Sequence, residues 1–229
     1  GVQFVADIKP FEAVKLRLLN ASHSAIAYIG FLSQLETVSD AIANIELANF
    51  IKSLMTLELR PSLHGNEQVN LDQYCETLLE RFSNTALQHR TYQIAMDGSQ
   101  KIPQRLLEAL QYQVMNKGNY NRICFVIASW MLFTRGEDLL GNKFDVQDPL
   151  SHQLLEAYKK PKTSGNAQDN DQLKDWVTNF LSIKQVFNED IANNQGIQKT
   201  IYHWLTIMSN ETNICECLNK IDFSDCATF

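Results

Sequence analysis

Glycine is scarce in this sequence, and so are the loops that bind phosphate groups. The 229 residues include 9 glycines and 5 prolines. Strand-rich folds and nucleotide-binding loops use more glycine, at turns and where the backbone approaches a ligand closely. Neither Gly-x-Gly-x-x-Gly nor Gly-x-x-x-x-Gly-Lys-Ser/Thr occurs, so the chain has no dinucleotide or P-loop motif of its own. The composition therefore favours helices.

An excess of positive charge and long apolar runs are also absent. The chain has 20 Lys and Arg against 26 Asp and Glu, a net charge of −6, whereas nucleic-acid-binding proteins usually carry a basic patch. No apolar run approaches the roughly 18 residues that span a bilayer. The longest run, 123–133, is flanked by Arg122 and Arg135 and predicts a buried helix. We therefore expect neither a nucleic-acid partner nor a membrane segment.

The cysteine pattern favours reduced thiols. Five cysteines are an odd number in a chain large enough to fold without disulfides, which predicts a cytoplasmic protein. Cys215, Cys217 and Cys226 offer three zinc-type ligands without an evident fourth, so a metal site is not expected. His-Glu-x-x-His, Cys-x-x-Cys and Gly-x-Ser-x-Gly are missing, which disfavours a metal or serine hydrolase. The start at Gly1, without Met or a signal region, predicts a piece of a longer protein.

The spacing of apolar residues predicts an all-α fold, with one multi-helix domain over residues 1–229 and no internal repeat. Period-2 alternation between turns, which is typical of strands, is missing. A Thr37 cap precedes the second predicted helix, Pro103 precedes the fourth, and 159–171 has the composition of a loop. The predicted helices are 11–32, 38–59, 71–82, 104–115, 120–133, 149–158, 172–191, 197–208 and 215–217, with an irregular segment at 84–99.

Three polar side chains on the first predicted helix form a candidate site. On an α-helix, Asn20 lies about 140° and His23 about 80° from Lys15, so all three share one broad face. Eight residues rise about 12 Å from Lys15 to His23, and helical side chains lean toward the N-terminus. The gap suits a small substrate that lies along the helix.

Lysine, asparagine and histidine can together oxidise an alcohol or reduce a ketone without a metal. A lysine amine that is desolvated by apolar neighbours has a lowered pKa and can accept a hydroxyl proton. Asparagine and histidine can donate hydrogen bonds to the oxygen as its charge develops. The alternative is structural: Lys15 extends to solvent, Asn20 bonds the backbone and His23 lies in the core. Spacing alone favours this alternative, because such trios are common on helices.

Longer sequence segments change this balance. They are Lys15-Leu-Arg-Leu-Leu-Asn-Ala-Ser-His-Ser, Tyr28-Ile-Gly, Thr37-Val-Ser, Arg81-Phe-Ser-Asn, and His89-Arg-Thr-Tyr-Gln-Ile-Ala-Met-Asp-Gly-Ser-Gln-Lys-Ile-Pro-Gln-Arg. These segments resemble the C-terminal domain of the long-chain mannitol dehydrogenase family of polyol and sugar-acid dehydrogenases. They cover residues 15–105, and the remainder fits the family in length and helical pattern only.

The resemblance implies roles for individual residues. Lys15 resembles the family's catalytic general base, Asn20 and His23 resemble the residues that orient and polarise the reacting oxygen, and Lys101 resembles a position that binds distal substrate oxygens. Family members bind NAD(H) through an N-terminal dinucleotide-binding domain, which this sequence lacks and which carries one further substrate-orienting residue. The resemblance therefore implies an NAD-dependent enzyme with no metal, whose partner is its own N-terminal domain and whose C-terminal fragment alone is inactive.

The segment that begins at His89 is most similar to fructuronate reductases, also called D-mannonate oxidoreductases. Mannitol dehydrogenases tend to have arginine where Gln93 stands, so reduction of D-fructuronate to D-mannonate is expected, with mannitol 2-dehydrogenase-type polyol oxidation as the alternative. A sugar acid needs a cationic donor for its carboxylate. Arg90 and Lys101 are the candidates, and each can equally form an ordinary ion pair. Arg105 is a further candidate, although its place just inside a predicted helix favours a structural role. A non-catalytic helical binding module is the rival function.

Overall fold

The computed structural model describes residues 8–63, 69–159 and 169–221. Within these ranges the regular structure is helical, with no strand and two isolated bridges, Thr37 with Arg90 and Glu137 with Lys143. The all-α prediction is confirmed. In the same ranges no helix is both long and apolar enough to cross a membrane.

Fourteen α-helices, three π-helical segments and one 3₁₀ turn are assigned in the described residues. In chain order they are α1 (Lys9–Val14), π1 (Lys15–Asn20), α2 (Ala21–Leu32), α3 (Val38–Ala43), α4 (Ile45–Ser53), π2 (Leu54–Leu59), a 3₁₀ turn (Arg60–Ser62), α5 (Leu71–Phe82), α6 (Thr91–Ala95), α7 (Gly98–Ile102), π3 (Pro103–Leu107), α8 (Glu108–Met115), α9 (Asn121–Phe133), α10 (Ser151–Lys159), α11 (Asp169–Leu181), α12 (Glu189–Ala192), α13 (Gln195–Met208) and α14 (Cys215–Leu218).

The first long helix forms as predicted, through α1, π1 and α2 in succession, but the second is interrupted. Thr37 caps α3 with a capping box: the Asp40 N–H donates to Thr37 Oγ1 at 3.1 Å and the Thr37 N–H to Asp40 Oδ2 at 3.0 Å. Asn44 then adopts ψ 118° and accepts a hydrogen bond from the Leu47 N–H, which starts α4. The prediction of one helix over 38–59 is therefore wrong at Asn44.

Three other boundaries differ from the prediction. The helix expected over 104–115 begins six residues earlier, at Gly98, and Pro103 begins π3 instead. The helix expected over 172–191 ends at Leu181, and Asn188 caps the separate α12 through the Ile191 N–H. The segment expected to be irregular, 84–99, contains α6. Most of the predicted loop 159–171 lies outside the described residues. Its last three residues, 169–171, belong to α11, which starts at Asp169.

Helix α9 is the centre of the core. All of its residues from 122 to 133 are buried, and it packs against α2 and α13. Phe125 lies edge-on to Trp204 of α13, with ring centroids 5.0 Å apart, and Phe133 contacts Tyr28 of α2 at 5.5 Å. These contacts fix α2, and with it the helix that carries the candidate site.

A buried ion pair holds the start of α9. Both side chains of the Glu58–Arg122 pair have no solvent exposure, and Arg122 Nη1 lies 3.1 Å from Glu58 Oε1. The same carboxylate accepts the Arg122 and Ile123 N–H groups at 2.9 and 2.8 Å. Burial raises the pKa of the Glu58 carboxyl to about 7, although these donors favour the carboxylate. Glu58 thus satisfies N–H groups in the first turn of α9 that have no partner within the helix.

Candidate active site

The π1 segment changes the relative positions of Lys15 and Asn20. The Ala21 N–H donates to the Leu16 carbonyl, five residues back, where an α-helix would use four. In this i→i+5 pattern, residues five apart are stacked as residues four apart are in an α-helix. Lys15 and Asn20 therefore lie one above the other, closer than the 140° expected for an α-helix. Single π turns of this kind occur often at functional sites.

The two faces of π1 have different environments. Arg17, Leu18 and Leu19 are buried, whereas Lys15 is exposed and Asn20 is half-buried. The Lys15 amine therefore reaches the surface of the described structure. The apolar surroundings that sequence reasoning expected for this amine are not supplied by the described residues.

His23, by contrast, lies in a confined and electropositive place. Its ring contacts Phe82 of α5 at a centroid distance of 4.8 Å, beside a cavity of about 30 Å³ lined in part by Arg81 and His89. Burial, the largest cause, and the nearby Arg105, His89 and Arg81 together lower the pKa of His23 to about 4. His23 is thus neutral at pH 7 and offers one N–H donor and one acceptor. The cavity has room for about one water molecule.

Arg105, which the sequence offered as a substrate contact, binds the first helix. Its Nη1 lies 3.2 Å from the Asn20 carbonyl oxygen and 2.9 Å from Ser24 Oγ. In return, Arg17 Nη1 donates to the Arg105 carbonyl at 3.3 Å and its Nη2 pairs with Glu108. The two segments are therefore connected twice. Arg17 of π1 donates to π3 and to the start of α8, and Arg105 of π3 donates back to the end of π1.

Lys101 lies one helical turn before Arg105, with its ammonium bonded to backbone. Lys101 Nζ is 2.6 Å from the Met96 carbonyl oxygen and 3.3 Å from that of Ile94, and 4.0 Å from the Asp97 carboxylate. Burial lowers the pKa of Lys101, and the nearby charge of Arg105 adds to this effect. The side chain is 24% exposed. Its role as a ligand for distal substrate oxygens stays a prediction.

Arg90 has an open position at the surface. Its side chain is 69% exposed and lies 3.7 Å from the equally exposed carboxylate of Glu36. Its backbone forms the isolated bridge to Thr37, at the start of α3. A surface pair of this kind contributes little to stability, so the guanidinium can exchange its partner easily. Carboxylate recognition by Arg90 stays a prediction.

The Asp97-Gly98-Ser99 segment starts the helix that carries Lys101 and Arg105. Asp97 has a left-handed φ of 56°, and a Cβ on Gly98 would lie 2.3 Å from Nε1 of the buried Trp130. The Ser99 N–H and hydroxyl donate to the Asp148 carboxylate at 2.8 and 2.5 Å. Sequence reasoning identified the turn but missed Asp148, because nothing in its spacing from Ser99 signals a contact 49 residues away.

Replacement of Gly98 by alanine is expected to destabilise the protein by about 1–3 kcal/mol, because the added methyl group overpacks against Trp130. The change should appear as a lower midpoint in urea denaturation followed by circular dichroism. The exposed neighbour Gln100 gives a matched control, since Gln100→Ala should stay within about 0.5 kcal/mol. Equal midpoints for Gly98→Ala and the unmodified protein would contradict this account.

The cysteines and acidic residues give no candidate metal centre in the described ranges, where no three His, Cys, Asp or Glu side chains cluster. Cys215 and Cys217 are buried free thiols, and burial raises the pKa of Cys217 to about 11. Cys226, the third residue of the sequence pattern, lies outside the described residues.

Comparisons with known proteins identify the family of the chain. The family model described as mannitol dehydrogenase C-terminal domain matches residues 7–208. D-mannonate oxidoreductase of Escherichia coli K12 is 43% identical over 194 residues, which are 85% of this chain and 38% of that protein. Mannitol 2-dehydrogenase of Aspergillus niger is 35% identical over 204 residues, 88% of this chain and 39% of that protein.

A solved structure shares the fold. Mannitol 2-dehydrogenase of Pseudomonas fluorescens, described as a ternary complex with NAD and D-mannitol, superposes with a TM-score of 0.85 at 24% identity, over 96% of this chain and 42% of that one. The chain belongs to the mannitol dehydrogenase C-terminal domain family. It spans about 38% of the length of the D-mannonate oxidoreductase that it matches.

Proposed function

We propose that this chain is the substrate-binding and catalytic part of an NAD-dependent oxidoreductase that interconverts a ketose or keto sugar acid with its alcohol. The observation that carries the proposal is π1, whose widened turn stacks Lys15 and Asn20 on one face, just before the neutral His23. Relatives at 43% and 35% identity are named D-mannonate oxidoreductase and mannitol 2-dehydrogenase. The named relatives and the site chemistry therefore support the same reaction class.

Each of the three residues has a distinct part in the proposed reaction. Reduction adds a hydride to the carbonyl carbon and a proton to its oxygen, which becomes the hydroxyl. The Lys15 ammonium supplies that proton and, in the reverse direction, its amine accepts the proton from the hydroxyl. The Asn20 amide and the His23 N–H donate hydrogen bonds to the oxygen while it carries developing charge.

The hydride chemistry belongs to NAD(H), which we propose is bound mainly by an N-terminal dinucleotide-binding domain of the full-length protein. Two observations fit this division: the sequence has no phosphate-binding glycine loop, and Lys15 is exposed in the described structure. Docking of that domain over π1 would exclude water from the amine and supply the desolvation that its chemistry needs. We place residues 1–229 in one helical substrate domain of a cytoplasmic enzyme, and expect this chain alone to be inactive.

We further propose D-fructuronate as the keto substrate and D-mannonate as the product. The relative at 43% identity is named a D-mannonate oxidoreductase, and Arg90 provides an exposed guanidinium with a weakly held partner. A carboxylate binds such a group in a bidentate manner. Lys101 would contact distal hydroxyl groups. Mannitol 2-dehydrogenase-type oxidation is the second candidate, supported by the relatives that carry that name.

The substrate class can be tested with the full-length protein by following NADH oxidation with fructuronate and with fructose. We expect a preference for fructuronate, and Arg90→Ala should raise KM for fructuronate by about 10–100-fold, since a charged hydrogen bond contributes about 1.5–3 kcal/mol. KM for fructose should not change. Lys184→Ala is the matched control, because it removes an exposed cation from the segment between α11 and α12. A preference for fructose that persists in Arg90→Ala would contradict the sugar-acid proposal.

A non-catalytic binding module on the same scaffold is the rival function. The reading frame of the full-length gene separates the two proposals, since only the enzyme requires a strand–helix unit with a glycine-rich dinucleotide motif. The enzyme proposal would be contradicted by a full-length protein that has such a unit but does not oxidise NADH with any six-carbon keto acid or ketose.

A further inference from the structure

We propose that Arg105 is a positioning residue that holds the turn carrying Asn20 and His23 in its reactive arrangement. The inference rests on the proposed function, because it assigns Arg105 a task in the same site. Arg105 does not need to touch substrate for this task. It acts through its two hydrogen bonds to the first helix and through its charge beside His23.

The two hydrogen bonds bracket His23. Arg105 Nη1 donates to the Asn20 carbonyl at 3.2 Å and to the Ser24 hydroxyl at 2.9 Å. Asn20 and Ser24 are four residues apart, so one nitrogen spans one complete turn, and His23 lies within it. The turn is also the point where π1 ends and α2 begins. Arg105 therefore fixes the helix where its hydrogen-bond register changes.

Ser24 makes this attachment specific. The residue is 1% exposed, and a buried hydroxyl that loses its hydrogen bond destabilises its surroundings. The arginine also receives support in return, because the buried Arg17 donates to the Arg105 carbonyl and pairs with Glu108. A shift of π3 would thus displace π1 at two points, Arg17 and Asn20.

The charge of Arg105 acts on the protonation of His23. The charged and titratable groups that face His23 are Arg105 from π3, Arg81 from α5, and His89, which precedes α6. Each lowers the pKa of His23, and Arg105 has the largest effect after burial. Loss of the guanidinium charge should therefore raise the pKa of His23 toward its ordinary value of 6.5. A protonated His23 at mildly acidic pH would donate from both nitrogens, whereas the neutral ring keeps one acceptor.

The test compares Arg105→Gln, Arg105→Lys and Ser24→Ala in the full-length protein, with fructuronate and NADH. Arg105→Gln should lower kcat by about 10–100-fold with a smaller change in KM, because misplacement of a catalytic group by about 1 Å has effects of this size. Arg105→Lys keeps the charge but not the geometry of the guanidinium, so the pKa of His23 should stay low while kcat recovers only in part. Ser24→Ala removes one bond and should have the smallest effect.

A second readout makes the inference independent of turnover. Titration of ¹³C,¹⁵N-histidine-labelled protein by NMR, without substrate or cofactor, should show a higher pKa for His23 in Arg105→Gln and an unchanged one in Arg60→Gln. Arg60 is the matched control, since it pairs at the surface with Asp72. Thermal denaturation verifies that each variant is folded, and if Arg105→Gln is not, Arg105→Lys and Ser24→Ala carry the comparison.

Each result bears on one proposal. An unmoved His23 titration in a folded Arg105→Gln protein, or a kcat within about twofold of the unmodified enzyme, would overturn the role of Arg105. Should the unmodified full-length protein show no activity, the proposed function fails, and the His23 titration still decides whether Arg105 controls the protonation of this turn.

Discussion

Replacement of Lys15 by alanine in the full-length protein is expected to lower kcat by about 10²–10⁴-fold, the usual contribution of a general acid–base group. Without the amine, the substrate oxygen would have to exchange its proton with a water molecule, which π1 does not position. KM should change less, because Asn20 and His23 still bind the oxygen. The measurement is the steady-state oxidation of NADH with fructuronate, and of the alcohol product with NAD⁺.

Three further measurements identify the proton transfer itself. Lys15→Arg keeps a positive charge but cannot release a proton near neutral pH, so it should be as slow as Lys15→Ala. Added primary amines should restore part of the activity of Lys15→Ala only. Lys52→Ala, at an exposed lysine of α4, should retain full activity. Near-normal turnover of Lys15→Ala, or of Lys15→Arg, would remove Lys15 from its proposed role.

The helical fold could be predicted because its elements carry strong local signals. The apolar run 123–133 predicted α9, and the structure places it at the centre of the core. The Thr37 cap was predicted from residue type and position, and the capping box is present. Breaks within helical patterns were missed, since Asn44 is both a tolerated helix residue and a cap. The helix start predicted at Pro103 is wrong for a related reason, because Pro103 begins π3 within a helix that already started at Gly98.

The π segments have no comparable sequence signal. Five of the six residues of π1 are good helix formers, and nothing in their order requires an i→i+5 turn. The structure packs π1 against π2 and π3, and Arg17 and Arg105 donate to backbone carbonyls across the contact with π3. The wider turn therefore depends on tertiary contacts that are 85–88 residues apart in sequence. A helical wheel with a uniform angle per residue cannot represent it.

The candidate site shows the same division. The residue types at Lys15, Asn20 and His23 indicated the chemistry, and the resemblance to a family indicated their roles. The cations at 90, 101 and 105 were chosen for their charge, but their surroundings depend on distant backbone. Arg105 bonds the first helix, Lys101 bonds carbonyls near the end of α6, and Arg90 remains at the surface. Charge alone could not distinguish these three positions.

The Glu58–Arg122 pair gives the largest expected effect on stability. Glu58→Gln should lower the free energy of unfolding by about 3–5 kcal/mol, the usual loss when one partner of a buried ion pair is removed. The variant removes the Glu58 carboxylate charge that faces the Arg122 guanidinium, and weakens the acceptor for the N–H groups that begin α9. Urea denaturation at pH 8 is the appropriate measurement, because Glu58, with a pKa of about 7, is then ionised.

Burial, rather than the ion pair as such, should account for this loss. The Lys184–Glu189 pair is 84% and 82% exposed at 3.7 Å, so Glu189→Gln should change stability by less than about 1 kcal/mol. Because a buried pair gains little over apolar residues of similar size, Glu58→Leu combined with Arg122→Met should be more stable than Glu58→Leu alone. Equal losses of unfolding free energy in Glu58→Gln and Glu189→Gln would show that burial of the ion pair does not control the stability of α9. The core contacts of α9 with α2 and α13 would then fix its position without Glu58.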